Sequence, residues 1–431
     1  MISPDTAATR DTSRKSRAAY VAQCAAGYFI TLLVSDAYLA KLLSHLGLDD
    51  ALIGVVSSIS ALSCLFGLAA IPLFRRRISA KKTVILFQTL SGFLFLFTFL
   101  LPFLQVPRAV TVLSVFLCVG GGQFLLQVTS SAYFAWANAH VDSQHRARFS
   151  AVKEIVSLIG GIAFTTGMGF LFDRMEAAGN LRGAFLTIAG VMLFLNGLSF
   201  LFLCLIGAKQ TGGDPQNTRS IRRALGRLMK NRSFRNVLIL NGLFTMGCYL
   251  TNGFLGTYKT ADLGLSLGAV QLMNNAGDVL RLFLSIPFGT YSDRTSYARG
   301  YCLALTLAAL SFLACGFASP SALWLMAVYT VLFRVSQAGI SQNTLNMCYS
   351  YVPQEDLMNA LVIRSALSGL LGFLSSLAGS RILTAVQSAG NTVLGLPMHG
   401  QQLLSLLSFA LLMAALAFGR FVVEKQQIIR Q

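Results

Sequence analysis

The chain has 431 residues, of which 55% are hydrophobic and only 12% charged, with 32 Phe and a mean hydropathy of +0.65. That balance excludes an ordinary soluble globular domain. A net charge of +18 would suit nucleic acid, but the basic residues sit where a membrane protein places them, so no nucleic-acid partner is expected.

Residues 1–17 are polar and basic and read as a cytoplasmic tail. The apolar run after them is too long for a signal h-region, so the first helix is expected to stay uncleaved. Twelve apolar stretches follow: 18–42, 51–73, 83–105, 109–136, 152–172, 184–207, 236–258, 266–289, 298–318, 321–347, 358–384 and 401–423. Each is near the roughly 20 residues with which an α-helix crosses about 30 Å of hydrocarbon. They lack the period-two alternation of barrel strands, which predicts an all-α integral membrane protein.

Most Lys and Arg fall on the side of the membrane that holds the N-terminus. "RRRISAKK" (75–82) and "RSIRRALGRLMKNRSFR" (219–235) therefore read as cytoplasmic loops. This bias predicts a multi-pass plasma-membrane protein with both termini cytoplasmic. Its expected partners are lipid and a small-molecule substrate, with one chain as the working unit. All eight cysteines lie within spans or at their ends without a CxxC, and read as small buried hydrophobes. Neither G-x-x-x-x-G-K-[ST] nor H-E-x-x-H occurs, and no cofactor or metal centre is expected.

Span 1 carries Asp36, flanked by Ser35 and Tyr38, a candidate proton-coupling group. Span 4 carries Gln123 and Gln127 behind the triplet Gly120–Gly122, and span 5 contains Gly160 and Gly161. The glycines read as packing devices. The polar segment from Gly207 to Arg235, with "TGGDPQN" at its start, has six spans on each side. It divides the chain into a tail (1–17), a half (18–207), a basic linker (208–235), a second half (236–423) and a tail (424–431). Arg77 and Arg294 follow spans 2 and 8 about half a chain apart, the trace of a duplication found in many secondary transporters.

In the second half, span 7 sets Asn241, Thr245, Cys248 and Asn252 on one face. Span 8 repeats polar residues at intervals of three and four: Gln271, Asn274, Asn275, Asp278 and Arg281. Asp278 falls roughly 18 Å into the helix, near the midplane. An ionisable group there costs about 2.5–3.5 kcal/mol on insertion scales, so it should face protein or water. Asp278 and Arg281, three residues apart, are expected to pair. Span 10 adds Arg334, with Gln337 and Ser341 on its face, and span 11 adds Arg364 as the third base at depth. Arg281 and Arg334 facing one cavity would leave surplus positive charge, which favours a carboxylate-bearing or otherwise anionic solute. Alternatively, Arg334 pairs with Asp36 or with backbone carbonyls.

The stretch "LSIPFGTYSDRTSYARG" (284–300) follows span 8. It resembles the G-x-L-x-D-R-x-G-R-R/K signature of the major facilitator superfamily, with Gly289, Asp293, Arg294 and Arg299 matching, Tyr291 in the aliphatic place and Ser296 in that of the second glycine. The copy after span 2, "AIPLFRRRISAKKTVI", keeps the bases and lacks the acid. "RARFSAVKEI" (146–155) is similar to the basic loop between helices 4 and 5 of bacterial members. The resemblance extends over residues 18–423 and implies two pseudo-symmetric six-helix halves rocking about a midplane site. It also implies a cytoplasmic gate at Asp293 and Arg294, and a transporter, not an enzyme.

On this reading the chain moves a small polar solute with a preference for anions, coupled to protons through Asp36 or Asp278. The expected solute contacts are Gln123, Gln127, Asn241, Asn252, Gln271, Asn275, Asp278, Arg281, Arg334 and Gln337. The alternatives are proton-driven efflux of amphipathic compounds, which needs a wide apolar cavity, and a non-transporting sensor.

Overall fold

The computed structural model describes residues 4–68, 80–104, 106–138, 140–141, 146–207, 221–353, 356–393 and 395–426. It is a bundle of helices: α1 (Pro4–Leu33), α2 (Asp36–His45), α3 (Asp50–Ser57), α4 (Ile59–Ser63), α5 (Ala80–Leu100), α6 (Arg108–Asn138), α7 (Arg146–Ala177) and α8 (Leu181–Leu205). Then come α9 (Ile221–Lys230), α10 (Arg232–Thr251), α11 (Leu267–Arg294), α12 (Tyr297–Gly316), α13 (Leu323–Tyr351), α14 (Leu357–Ser388) and α15 (Gly400–Phe418). A two-stranded hairpin, β1 (Thr392–Val393) and β2 (Leu396–Pro397), precedes α15.

Among the described residues, ten helices are long and apolar enough to cross a membrane, or eleven when α1 and α2, bent by 44°, count as one. The twelfth expected span is α11. Its 28 residues are long enough, but the stripe from Gln271 to Arg281 lowers its hydropathy. Burial shows how it is tolerated. Gln271, Asn274, Asn275 and Asp278 are buried, whereas Leu272, Val279, Leu280, Phe283 and Ile286 are exposed. A helix with its polar face inside and its apolar face outside is built for lipid.

The chain forms two compact units, one of residues 1–47 and 66–217, the other of residues 48–65 and 218–431. The expected division at the central linker therefore differs in one place, since the segment 48–65 groups with the second unit. In the first unit α1 packs on α7 and α8, and α5 on α6 and α8. Cβ atoms at Gly122 and Gly161 would lie 2.4 Å from the Phe95 ring and 2.6 Å from the Tyr28 ring, so these glycines admit aromatic side chains. Lys81 donates to the carbonyls of Cys204 and Ile206 at the end of α8 (3.0 and 2.6 Å), where the helix dipole favours a cation. All eight cysteines are free thiols.

In the second unit Tyr329 stacks on Phe333 of α13, and Phe312 of α12 meets both rings at a steep angle, with centroids 5.5–5.7 Å apart. The apolar run of span 2 is not one helix. It breaks at Ser58, whose hydroxyl bonds the carbonyl of Gly54 (2.8 Å), and continues as α4 and a 3-10 turn, Cys64–Leu68. This broken segment lies on α14. The Ser58 and Ser376 hydroxyls share a hydrogen bond (2.6 Å), Ser380 donates to the Ala51 carbonyl (3.3 Å), and Gln387 to Asp50 (2.8 Å). A Cβ on Gly369 would stand 2.2 Å from the Ala61 carbonyl oxygen, so only glycine permits this approach of α14 to α4.

Candidate solute-binding cavity

Helices α10, α13 and α14, with the end of α4, line an open cavity of about 320 Å³ in the second unit. Each helix presents one face at helical spacing: Asn241, Phe244, Thr245 and Tyr249 from α10; Gln337, Ile340, Ser341 and Thr344 from α13; Arg364, Ser365, Ser368 and Gly369 from α14. Ala61 and Cys64 complete the wall. Among these side chains Arg364 is the one charged group, and its Nε is buried without a hydrogen-bond partner among the described residues.

The polar wall is ordered by its own hydrogen bonds. Thr245 donates to the Asn241 carbonyl (2.8 Å), Ser341 to that of Gln337 (2.7 Å) and Thr344 to that of Ile340 (2.6 Å). The Asn241 amide donates across to the Ser368 hydroxyl, joining α10 to α14. Hydroxyls that donate to their own helix are sterically cheap and need no partner in lipid.

Of the expected solute contacts, Asn241 and Gln337 meet at this cavity, and the others lie elsewhere. Asn252 accepts from the Tyr329 hydroxyl (2.9 Å). Gln271 and Asn275 are buried on α11, Arg281 is half-buried there, and Gln123 and Gln127 are half-buried on α6 of the first unit. The Asp36 side chain lies outside the described residues. The expected pairing of Asp278 with Arg281 is replaced by another: Asp278 meets Arg334 at 3.5 Å, linking α11 to α13. Gly277 makes room for this, since a Cβ there would fall 2.9 Å from Arg334 Cβ and Cγ. Arg334 is thereby neutralised, and the surplus charge expected from it passes to a residue outside the expected set, Arg364. The signal for Arg364 was its place among three bases at depth; Ser365 and Ser368 beside it complete a short polar stripe.

Of the gate-motif residues, Asp293 and Arg294 form the last turn of α11, Gly289 lies one turn before them, and Arg299 is in the first turn of α12. Asp293, Arg294 and Arg299 are exposed and Gly289 is half-buried. Gly289 needs no close approach among the described residues, because its nearest contact, Gln342, would lie an ordinary 3.6 Å from a Cβ. Ser296, standing for the second glycine, caps α12 by accepting from the Arg299 amide (3.1 Å). The Arg299 guanidinium pairs with Glu424.

A helical membrane protein of two units with a polar cavity at depth defines a class, that of secondary transporters. Residues 103–352, more than half of the chain, match the family of MFS/sugar transport proteins, and the chain belongs to that family. Among solved structures the nucleoside transporter NupG superposes with a TM-score of 0.68 at 14% identity, over 96% of this chain and 100% of that one. A D-xylose–proton symporter gives 0.66 at 16% identity, over 95% and 98%. A bacterial homologue of the human lysosomal transporter Spinster gives 0.67 at 12% identity, over 97% of both. At these identities the likeness is one of fold. No curated protein matches the sequence.

Proposed function

We propose that the chain moves a small polar solute across the plasma membrane by alternating access, coupled to protons, with both termini in the cytoplasm and one chain as the working unit. The cavity carries this reading. Amides, hydroxyls and a guanidinium converge on about 320 Å³ in the middle of hydrophobic helices, at the small end of ligand sites. Polar groups at such depth are expensive to maintain unless they serve a ligand or each other. The nucleoside transporter and the D-xylose–proton symporter carry polar solutes on the same fold, which supports the reading. Efflux of amphipathic compounds asks for a wider space than the about 320 Å³ of this cavity.

Asp278 is the proton-coupling group we favour of the two candidates, because its pairing with Arg334 gives its proton a consequence: protonation would release the arginine. Two measurements in proteoliposomes test this: counterflow into solute-loaded vesicles for transport, and net uptake into solute-free vesicles with internal pH followed by a trapped dye for coupling. Wild type should exchange labelled solute in the first and acidify the lumen in the second. Net uptake without acidification would remove the proton from the scheme, and no exchange of any polar solute would remove transport.

A further inference from the structure

The cavity wall carries one charge among neutral polar groups. Thr245, Ser341 and Thr344 have each committed the hydroxyl proton to a carbonyl of their own helix. What these side chains offer a ligand is lone pairs. The one charged donor of the wall is Arg364, whose guanidinium is always charged and carries only donors; the amides of Asn241 and Gln337 add neutral donors and acceptors beside it. Among the described residues no carboxylate lies within ion-pair range of it: the ion pairs of the second unit use Arg227, Arg299, Arg334 and His399. Asp278 is held by Arg334 and is not part of the wall.

A ligand that satisfies such a wall has one oxyanion for the guanidinium and hydroxyl donors for the row of oxygens. An ammonium group would find no acid in the wall. A dianion would leave one negative charge unmatched in a low-dielectric site, which is strongly unfavourable. We propose that the solute is a small hydroxycarboxylate of single negative charge, its carboxylate on Arg364 and its hydroxyls on the oxygens of Thr245, Ser341 and Thr344. This rests on the reading of the cavity as the solute site.

The experiment measures binding of three six-carbon probes to the purified full chain in detergent: gluconate, with carboxylate and hydroxyls; sorbitol, with hydroxyls only; and hexanoate, with the carboxylate only. Gluconate should bind tightest, and Arg364→Gln should weaken it about ten- to a hundredfold, the range of a lost charged hydrogen bond. Arg364→Lys should keep part of the affinity, since it retains the charge and loses the planar fork. If Arg364→Gln fails to fold, the order of the three probes on wild type and on Arg364→Lys decides. Sorbitol equal to gluconate on wild type and variant would overturn the anion and leave polar-solute transport standing. Hexanoate equal to gluconate would overturn the hydroxyl row. No binding by gluconate or by a wider panel of hydroxycarboxylates would end the inference, and binding by lipophilic cations alone would end both readings.

Discussion

Asp278 and Arg334 stand 56 positions apart in the chain and 3.5 Å apart in space, with side chains 10% and 32% exposed. Two charges at depth are tolerable because each cancels the other, and removing one strands its partner. A fully buried pair broken this way loses about 3–5 kcal/mol; the partial exposure of Arg334 lowers the expectation for Asp278→Asn to on the order of 2 kcal/mol. Arg334→Gln should destabilise similarly, and the double variant should lose less than the sum of the two. Thermal melts of the four proteins check this; strict additivity would mean that the pair contributes nothing. Sequence separation explains why the pairing was not legible. Periodicity put Arg281 beside Asp278 on one helix, whereas only the packing of α11 on α13 brings Arg334 closer. The same reason hid Arg364: spacing gives the face of a helix, not which faces share a cavity.

At the scale of elements, the contact of α14 with the broken segment α3–α4 raises the question of what holds it. The Ser58–Ser376 hydrogen bond is short at 2.6 Å, but such bonds between helices in membranes average only about 0.6 kcal/mol. Steric fit outweighs it. A methyl at Gly369 would strike both the Ala61 carbonyl and Cys64 Cβ, at 2.2 and 2.8 Å, and backbone cannot swing aside as a side chain can. Gly369→Ala should therefore cost about 3 kcal/mol, the upper part of the overpacking range, and distort the cavity wall. Ser58→Ala with Ser376→Ala should stay within about 1 kcal/mol of wild type. Reversal of that order in denaturation measurements would show that the hydroxyls hold the contact. The helices themselves were largely legible, because apolar runs of membrane length have few other uses. The break at Ser58 was not, since the run 51–73 is apolar on both sides of it.

For the whole molecule, the exposed apolar face of α11, with Phe283 at 70% and Ile286 at 77%, is the clearest sign of the solvent it was shaped for. Its polar face is buried in protein and its apolar face turned outward, the reverse of a water-soluble helix. Leu280→Lys, on the same exposed face and near the midplane, should leave the contacts of α11 intact yet reduce the yield of inserted protein, because a cation at that depth costs about 2.5–3.5 kcal/mol on insertion scales. A membrane fraction as rich in the variant as in wild type would place Leu280 away from the lipid.

The grouping of residues 48–65 with the second unit sets a timetable for biogenesis. Ser58 and its partner Ser376 are 318 residues apart. At roughly 5–20 residues per second of synthesis, the segment leaves the ribosome about 15–60 s before the helix it packs against exists. Until then its glycine- and serine-lined surface must be shielded by lipid or a chaperone. Arrested chains ending at Tyr351, with Cys64 as the one thiol, should react with a lipid-permeant maleimide faster than the completed chain. Equal rates would mean that the segment finds another shelter while it waits.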